Sequence, residues 1–383
     1  KRLMEGLKAL RHCYRLSHRE WDSVQDKIVE IAGELSQQME KDGRNDFEFA
    51  DICWTAHRYD KVREVLGAIE PPEGKELGWL MMMADSCYEL EDYEAAWKYR
   101  KEIWDGCDEE GRVEALYLDM ARDCGLSGRV EEALELYCQT GERFGESAQL
   151  YYLQAKLLSD NERAAEAMEM CEKALKLEFH LEAFNLRTEI LFDRNAYALI
   201  KEETGDLLAK GLKSAQVMFD YARALRKLDE LEEAEWVLKQ LDEVTGGSDV
   251  VYQELAGVYY DMDKPEEALV WIDRAIKARD ILWRQCLRAD CLRDLERYEE
   301  ELAVYRLLAE QGHSYPFINY RTGRALEELD RFDEAAQYFK KTVAEDKNYG
   351  AAWDGLGDVL QKQKKWDEAE VAYKQGIDSG NLQ

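Results

Sequence analysis

A small side chain recurs along this chain at intervals close to 34 residues. The intervals are 34, 37, 34, 67, 34, 33, 34 and 34, and the residues are Ala50, Ala84, Ala121, Ala155, Ala222, Ala256, Ala289, Gly323 and Gly357. The interval of 67 is twice the usual length, and Thr188 marks the additional unit inside it. Because two helices approach closely only where their side chains are small, this recurrence predicts a tandem array of packed helices.

A second series of residues lies twelve positions after the first. Seven units have alanine there, and the other three have Val62, Ile200 and Glu301. The alanines are Ala96, Ala133, Ala167, Ala234, Ala268, Ala335 and Ala369. A short polar break separates the two series, and in one unit it contains Gly128, which suits a left-handed turn residue. Each unit is therefore predicted to be a pair of antiparallel helices.

The clearest units resemble the tetratricopeptide repeat family. The resemblance is carried by Trp353-Asp354-Gly355-Leu356-Gly357 with Trp366-Asp367-Glu368-Ala369, and by Leu255-Ala256-Gly257-Val258-Tyr259-Tyr260 with Pro265-Glu266-Glu267-Ala268. Ten repeats in register, which begin near residues 43, 77, 114, 148, 181, 215, 249, 282, 316 and 350, match the period of this class. The resemblance implies an all-α, right-handed superhelical solenoid.

The sequence departs from the family pattern in two places. Gly74, Gly145 and Gly246 stand where a repeat usually ends in proline, and the repeat at 181–214 has lost most of its motif. Both departures affect local curvature and leave the fold class unchanged. The solenoid is expected to span residues 43–383.

Residues 1–42 fall outside the repeat register. Their apolar spacing, with Leu3, Leu7 and Leu10 followed by Trp21 and Val24, predicts a helical hairpin. We interpret it as a cap over the apolar face of the first repeat, because solenoids need polar ends for solubility. A dimerisation hairpin and the end of an upstream domain are the alternatives.

Composition restricts the class of protein. The 383 residues carry a formal net charge of −30, which disfavours general binding to phosphate backbones. The longest nearly apolar run, residues 77–84, is far shorter than a membrane crossing of about 20 residues. Nine scattered cysteines without a CxxC pair indicate free thiols and a reducing compartment, so we expect a cytoplasmic protein.

The family resemblance implies that positions 2, 5, 9, 12 and 13 of each repeat face a concave groove. Those positions carry several cations in the middle of this acidic chain, with aromatic residues beside them. We predict a peptide-binding site at Arg122, Lys156, Asn185, Arg223, Arg226, Lys227, Tyr152, Phe219 and Tyr260. Arginine suits carboxylates and the rings supply contact area, so the expected ligand is an acidic and apolar segment or a free C-terminal carboxylate. In the alternative interpretation, the cations pair with neighbouring acids and the rings are core.

Other chemistry finds little support. Domains of this family that hold chaperone tails use lysine at position 5 and asparagine at position 9 of one repeat, and no repeat here has both. The spacing of Cys286 and Cys291 fits no zinc pattern, so no metal or cofactor is expected. No phosphate loop, HExxH motif or nucleophile elbow occurs, and we expect no enzymatic activity.

Three functions fit the sequence to different degrees. The first is a non-enzymatic scaffold or adaptor that binds a peptide or helix of a partner protein in the groove. The second is a regulatory or targeting module of a larger protein whose catalytic domain lies outside this chain. The third is nucleic-acid binding through the central cations, against the overall charge.

Overall fold

A computed structural model of the protein describes Glu30, Gly33, residues 43–313 and residues 315–380. Within these residues the chain forms twenty α-helices and no strand. The hairpin predicted for residues 1–42 lies outside the described residues except at Glu30 and Gly33. The all-α fold is confirmed for the described part of the chain.

The helices form ten successive pairs. The first helices of the pairs are α1 (Gly43–Thr55), α3 (Glu76–Glu89), α5 (Glu114–Leu126), α7 (Ala148–Asp160), α9 (Leu181–Asp193), α11 (Ala215–Lys227), α13 (Asp249–Asp261), α15 (Leu282–Asp294), α17 (Pro316–Glu328) and α19 (Gly350–Lys362). The second helices are α2 (Tyr59–Leu66), α4 (Tyr93–Gly106), α6 (Val130–Phe144), α8 (Ala164–Leu177), α10 (Tyr197–Ala209), α12 (Leu231–Thr245), α14 (Pro265–Ala278), α16 (Tyr298–Glu310), α18 (Phe332–Glu345) and α20 (Trp366–Gly380). Nine first helices begin at the predicted residue, and α3 begins one residue earlier, at Glu76.

The chain divides into two compact units, Lys1–Ile190 and Leu191–Gln383, which we call the N-unit and the C-unit. The division falls within α9, in the repeat whose motif is divergent. The N-unit contains α1 to α8 and most of α9. The C-unit contains the end of α9 and α10 to α20.

The residues of both series are buried in all ten helix pairs, as close helix packing predicts. Ala256 of α13 and Ala268 of α14 are both completely buried. Large apolar side chains such as Leu255 and Ile272 surround them and are equally buried. Glu301 occupies the alanine position of α16 and is only 1% exposed, which makes it an exception in charge and not in burial.

A left-handed residue closes the turn inside every pair. Gly128, with φ of +82°, confirms the turn predicted from the sequence. The nine other turns use residues with side chains, which are His57, Glu91, Glu162, Asn195, Asp229, Asp263, Glu296, Asp330 and Lys364. In each turn a backbone bond returns to the first helix, as where Arg129 N–H donates to the Cys124 carbonyl at 2.8 Å.

Helix starts are marked by residues that satisfy or remove free N–H groups. The side chains of Asp92, Ser147 and Ser214 accept hydrogen bonds from the first turns of α4, α7 and α11. Pro265 and Pro316 stand at the beginning of α14 and α17, where a missing N–H costs nothing. None of the described helices combines the length and apolar character that a membrane crossing requires.

Candidate functional site

The first-helix face, by which we mean the surface formed by the odd-numbered helices of one unit, carries the predicted cations. In the N-unit, the half-exposed Arg122 of α5 forms an ion pair with Asp119, one turn earlier. Its guanidinium lies 5.1 Å from the ring centroid of Tyr88 on α3. Lys156 of α7 is exposed and forms no ion pair with any described residue. The two cations are therefore unequal, since of the two only Arg122 has an ion-pair partner among the described residues.

Two further predicted residues of the N-unit lie on α7 and α9. Tyr152 is half-buried, with its ring centroid 5.2 Å from that of His180. Asn185 is also half-buried, and its Oδ1 atom is enclosed but accepts no hydrogen bond from the described residues. An unsatisfied buried acceptor is unusual in a native fold, and a ligand N–H is one way to satisfy it.

In the C-unit, Arg223 of α11 lies close to two aromatic rings. Its guanidinium carbon is 4.1 Å from the Phe192 ring centroid and 5.8 Å from that of Phe219. Its Nη1 atom is 3.5 Å from Oδ1 of the buried Asp220. Lys227, one turn further on, is exposed and has no ion pair in the described part of the chain. Both ring distances of Arg223 are within the range of a cation–π contact.

Arg226 has a different role from its neighbours. Its Nε donates to Asp261 at 2.6 Å and its Nη1 to Glu254 at 3.1 Å, both on α13. The guanidinium crosses directly over Gly257, where any β-carbon would collide with it. The structure thus places this predicted binding residue in an ion-pair network between repeats, as the alternative interpretation of the cations expects.

Tyr260 of α13 lies at the edge of the C-unit core and is half-buried. Burial and a hydrogen bond to Asp294 raise the pKa of its hydroxyl to about 12. It therefore remains a neutral hydrogen-bonding group at physiological pH. Its ring packs against the core but is partly exposed. Its position therefore fits both the binding interpretation and the core interpretation of the aromatic residues.

A cleft between α3, α4 and α5 was not anticipated from the sequence. It has a volume of about 200 Å³. Its rim is formed by the exposed side chains of Leu77, Met81 and Val113, and its floor includes Asp85, Arg100 and Asp119. Apolar walls above a charged floor make it a pocket for a side chain that has both characters.

Arg100 organises the floor of this cleft from α4. It is 6% exposed, its Nη1 donates to Asp123 Oδ2 at 2.5 Å and its Nη2 to Asp85 Oδ1 at 2.9 Å. Its Nε lies 3.9 Å from Asp119 Oδ2. The prediction considered only first helices and so missed it. The signal was present, because the corresponding residue four positions after each second-series residue is Leu66, Tyr137, Cys171, Thr204, Leu238, Ile272, Tyr305, Phe339 or Tyr373 in the other repeats.

A second cleft lies in the C-unit between α15, α16 and α17. Trp283 and Phe317 form its exposed aromatic walls, and Asp290, Tyr305 and Arg321 line its interior. Buried beside it is Glu301, whose Oε1 is 3.9 Å from Arg293 Nη1. Burial raises the pKa of Glu301 to about 7, although Arg293 and Arg321 act in the opposite direction.

Metal and thiol chemistry is not indicated in the described residues. No group of three His, Cys, Asp or Glu side chains among them could hold a metal ion. The eight described cysteines are free. Burial raises the pKa of the thiols of Cys53, Cys124 and Cys171 to about 11, so these thiols are unreactive at neutral pH.

Successive helix pairs, small residues at each contact and left-handed turns define a tandem helical-repeat protein. Family models described as tetratricopeptide repeat match residues 148–180 and 326–381. These two segments of the chain are therefore tetratricopeptide repeats, as its sequence pattern predicts. No curated protein sequence matches it significantly.

Several solved structures are similar to this chain at low identity. A tetratricopeptide repeat protein from Parabacteroides merdae ATCC 43184 is 15% identical, with a TM-score of 0.46, and the match covers 75% of this chain and all of that one. MamA from Desulfovibrio magneticus RS-1 is 14% identical, with a TM-score of 0.42 over 44% of this chain and 96% of that one. YrrB, described as having an unusual peptide-binding site, is 18% identical, with a TM-score of 0.41 over 47% of this chain and 93% of that one.

Proposed function

We propose that this protein is a non-enzymatic scaffold that binds segments of a partner protein on its first-helix face. Stacked helix pairs create extended surfaces on which many residues can contact one ligand. Catalysis has no comparable support, because no nucleophile, base and oxyanion site come together among the described residues. The proposal therefore concerns binding alone.

The environment of the Arg223 guanidinium is the main support for peptide binding. The rings of Phe192 and Phe219 both lie within cation–π distance of this guanidinium, and the carboxylate of Asp220 is at 3.5 Å. That distance is too long for a strong charge-assisted hydrogen bond, so the donors at the guanidinium edge keep much of their capacity. An acidic side chain or a terminal carboxylate of a partner is the group that would use them.

The neighbouring residue types support the same partner class. Lys227 adds an exposed cation on the same helix, and Phe219 adds apolar contact area. In the N-unit, Arg122 and Lys156 provide a second pair of cations beside Tyr88 and Tyr152. We propose that each unit binds a segment in which acidic residues alternate with apolar ones.

The eight free cysteines of the described residues support a reducing compartment, and we propose the cytoplasm. The alternative, in which the chain is a targeting module of a larger protein, uses the same surface in the same way. The two functions differ only in whether the bound segment is held for another protein or for a catalytic domain outside this chain. The binding experiment below applies to both.

The test uses a phage-displayed library of random peptides, selected separately on the wild type and on two variants. The first variant, Arg122→Glu with Arg223→Glu, reverses one cation in each unit. The second, Lys98→Glu with Arg306→Glu, makes the same charge change at exposed positions of α4 and α16. We expect the wild type and the control to enrich acidic, apolar peptides.

Affinity for an enriched peptide, measured by fluorescence anisotropy, should fall about tenfold or more in the first variant. Its melting temperature should match that of the control, because both variants change surface charge equally. Equal loss of affinity in both variants would contradict the proposal, and so would enrichment of peptides that have no acidic residue.

A further inference from the structure

The cleft between α3, α4 and α5 contains more negative charge than its own arginine balances. Arg100 faces three carboxylates, those of Asp85, Asp119 and Asp123. Asp119 also forms an ion pair with Arg122, a residue that does not line the cleft. With both arginines counted, three carboxylates share two cations.

Asp123 does not line the cleft, but it shares the guanidinium of Arg100 with Asp85 and Asp119. It is completely buried, one oxygen accepts from Arg100, and the other accepts no hydrogen bond from any described residue. Burial raises the pKa of this carboxyl to about 6 despite the neighbouring guanidinium. A buried acid with an unused acceptor is stabilised by any further positive charge placed nearby.

The walls of the cleft limit which cation fits. Leu77, Met81 and Val113 are each about half exposed around the opening, and Leu116 and Ile103 continue the apolar lining inwards. A small inorganic cation would gain nothing from these walls. A long aliphatic stem with a charge at its end satisfies both the walls and the floor.

We propose that this cleft binds a lysine side chain of the partner segment. The four-carbon stem lies along Leu77, Met81 and Val113, and the ammonium reaches the exposed oxygens of Asp85 and Asp119. Lysine fits better than arginine because its ammonium is compact and its three donors can point to carboxylates on two different helices. The inference rests on the proposed function only in that a partner segment supplies the lysine.

The test uses capped tripeptides of glycine, a central residue and glycine as probes. The central residue is lysine, norleucine, arginine or glutamate. Protein labelled with ¹³C at the methionine methyl groups reports binding through Met81, which lies at the rim, and a Met81→Leu variant assigns that signal. Met218 and Met262 of the C-unit serve as internal references.

We expect the Met81 signal to shift saturably with the lysine peptide. The norleucine peptide has a similar stem without the charge, and it should bind roughly tenfold or more weakly. Asp85→Asn with Asp119→Asn should remove the response, whereas Asp105→Asn, at an exposed acid of α4 outside the cleft, should keep it.

Three results would overturn the inference. They are no Met81 shift with the lysine peptide, equal shifts with lysine and norleucine, and tighter binding of arginine than of lysine. The peptide comparison uses the wild type alone, so it stands even if the double variant fails to fold. An acidic peptide from the library, titrated into the same sample, separates the two ideas, because its binding tests the proposed function and the lysine peptide tests only the cleft.

Discussion

Glu301 shows how far a single residue can be interpreted from sequence. The repeat register places it at a helix contact that alanine occupies in most repeats, and the structure confirms that it is buried. The register does not indicate why a carboxyl is tolerated there. The reason is three-dimensional, since Arg293 of α15 and Arg321 of α17 approach it from helices on both sides.

The burial of Glu301 predicts a pH-dependent stability. Its pKa rises from 4.5 to about 7 on folding, so between these values the folded state binds a proton more tightly than the unfolded state. Below about pH 4.5 the carboxyl is protonated in both states and does not lower the free energy of unfolding. As the pH rises from about 4.5 to about 7, it ionises in the unfolded state but not in the folded state, so the free energy of unfolding falls. Replacing it with glutamine removes the cost of ionising a buried carboxyl.

We expect Glu301→Gln to gain stability relative to the wild type on going from about pH 5 to about pH 8, by about 2 kcal/mol. Urea unfolding at both pH values measures this difference. Glu299→Gln, at an exposed position of the same helix, is the matched control and should show no such gain. The same effect of Glu301→Gln at both pH values would contradict the explanation.

The cations of the first-helix face show the opposite case, in which sequence position alone misleads. Arg223 and Arg226 are three residues apart on one helix and looked equivalent. One stacks on aromatic rings with a weak carboxylate contact, while the other is bound by Glu254 and Asp261, 28 and 35 residues further along the chain. The partners that distinguish the two residues come from neighbouring repeats, so the sequence of one repeat alone cannot reveal them.

At the scale of the helix, the sequence was most informative at the buried positions where only small side chains fit. The recurring small residues predicted which positions are buried in each pair, and the starts of nine first helices followed from their spacing. The turns inside the pairs were less predictable, because only Gly128 among the ten left-handed residues at these turns is a glycine. Four of the others are Asn or Asp, which adopt this conformation more readily than most residues, and the remaining five are His, Glu or Lys.

The tight contact inside each pair leads to a prediction for α13. Ala256 is completely buried against α14, so Ala256→Leu must push the two helices apart or force strained rotamers. We expect a loss of about 1–3 kcal/mol in the free energy of unfolding, measured in urea. Ala303→Leu, which makes the same change at an exposed position of α16, should have little effect. A similar loss in both variants would show that the contact is not limiting.

At the scale of the whole molecule, charge is the dominant property. The chain has 82 acidic and 52 basic residues, and this excess of like charge opposes folding at low ionic strength. Salt screens repulsion between exposed acids more than it weakens enclosed pairs such as Arg100 with Asp123. The balance therefore favours greater stability in salt.

We expect the melting temperature to rise by about 2–4 °C when sodium chloride is increased from about 10 mM to about 200 mM. Potassium chloride should produce the same rise, because screening depends on ionic strength and not on the identity of the cation. A falling melting temperature would show that surface ion pairs, such as Arg163 with Glu131 and Glu166, outweigh the repulsion.

The left-handed turns have a consequence for the gene as well as for the fold. Each turn is closed by backbone hydrogen bonds that return to the preceding helix, and the residue that permits them differs from pair to pair. A helix pair thus carries its own turn with it. In-frame duplication or deletion of about 34 codons moves a complete hairpin and leaves no unmatched half, so a coding sequence of this kind can lengthen or shorten by whole units.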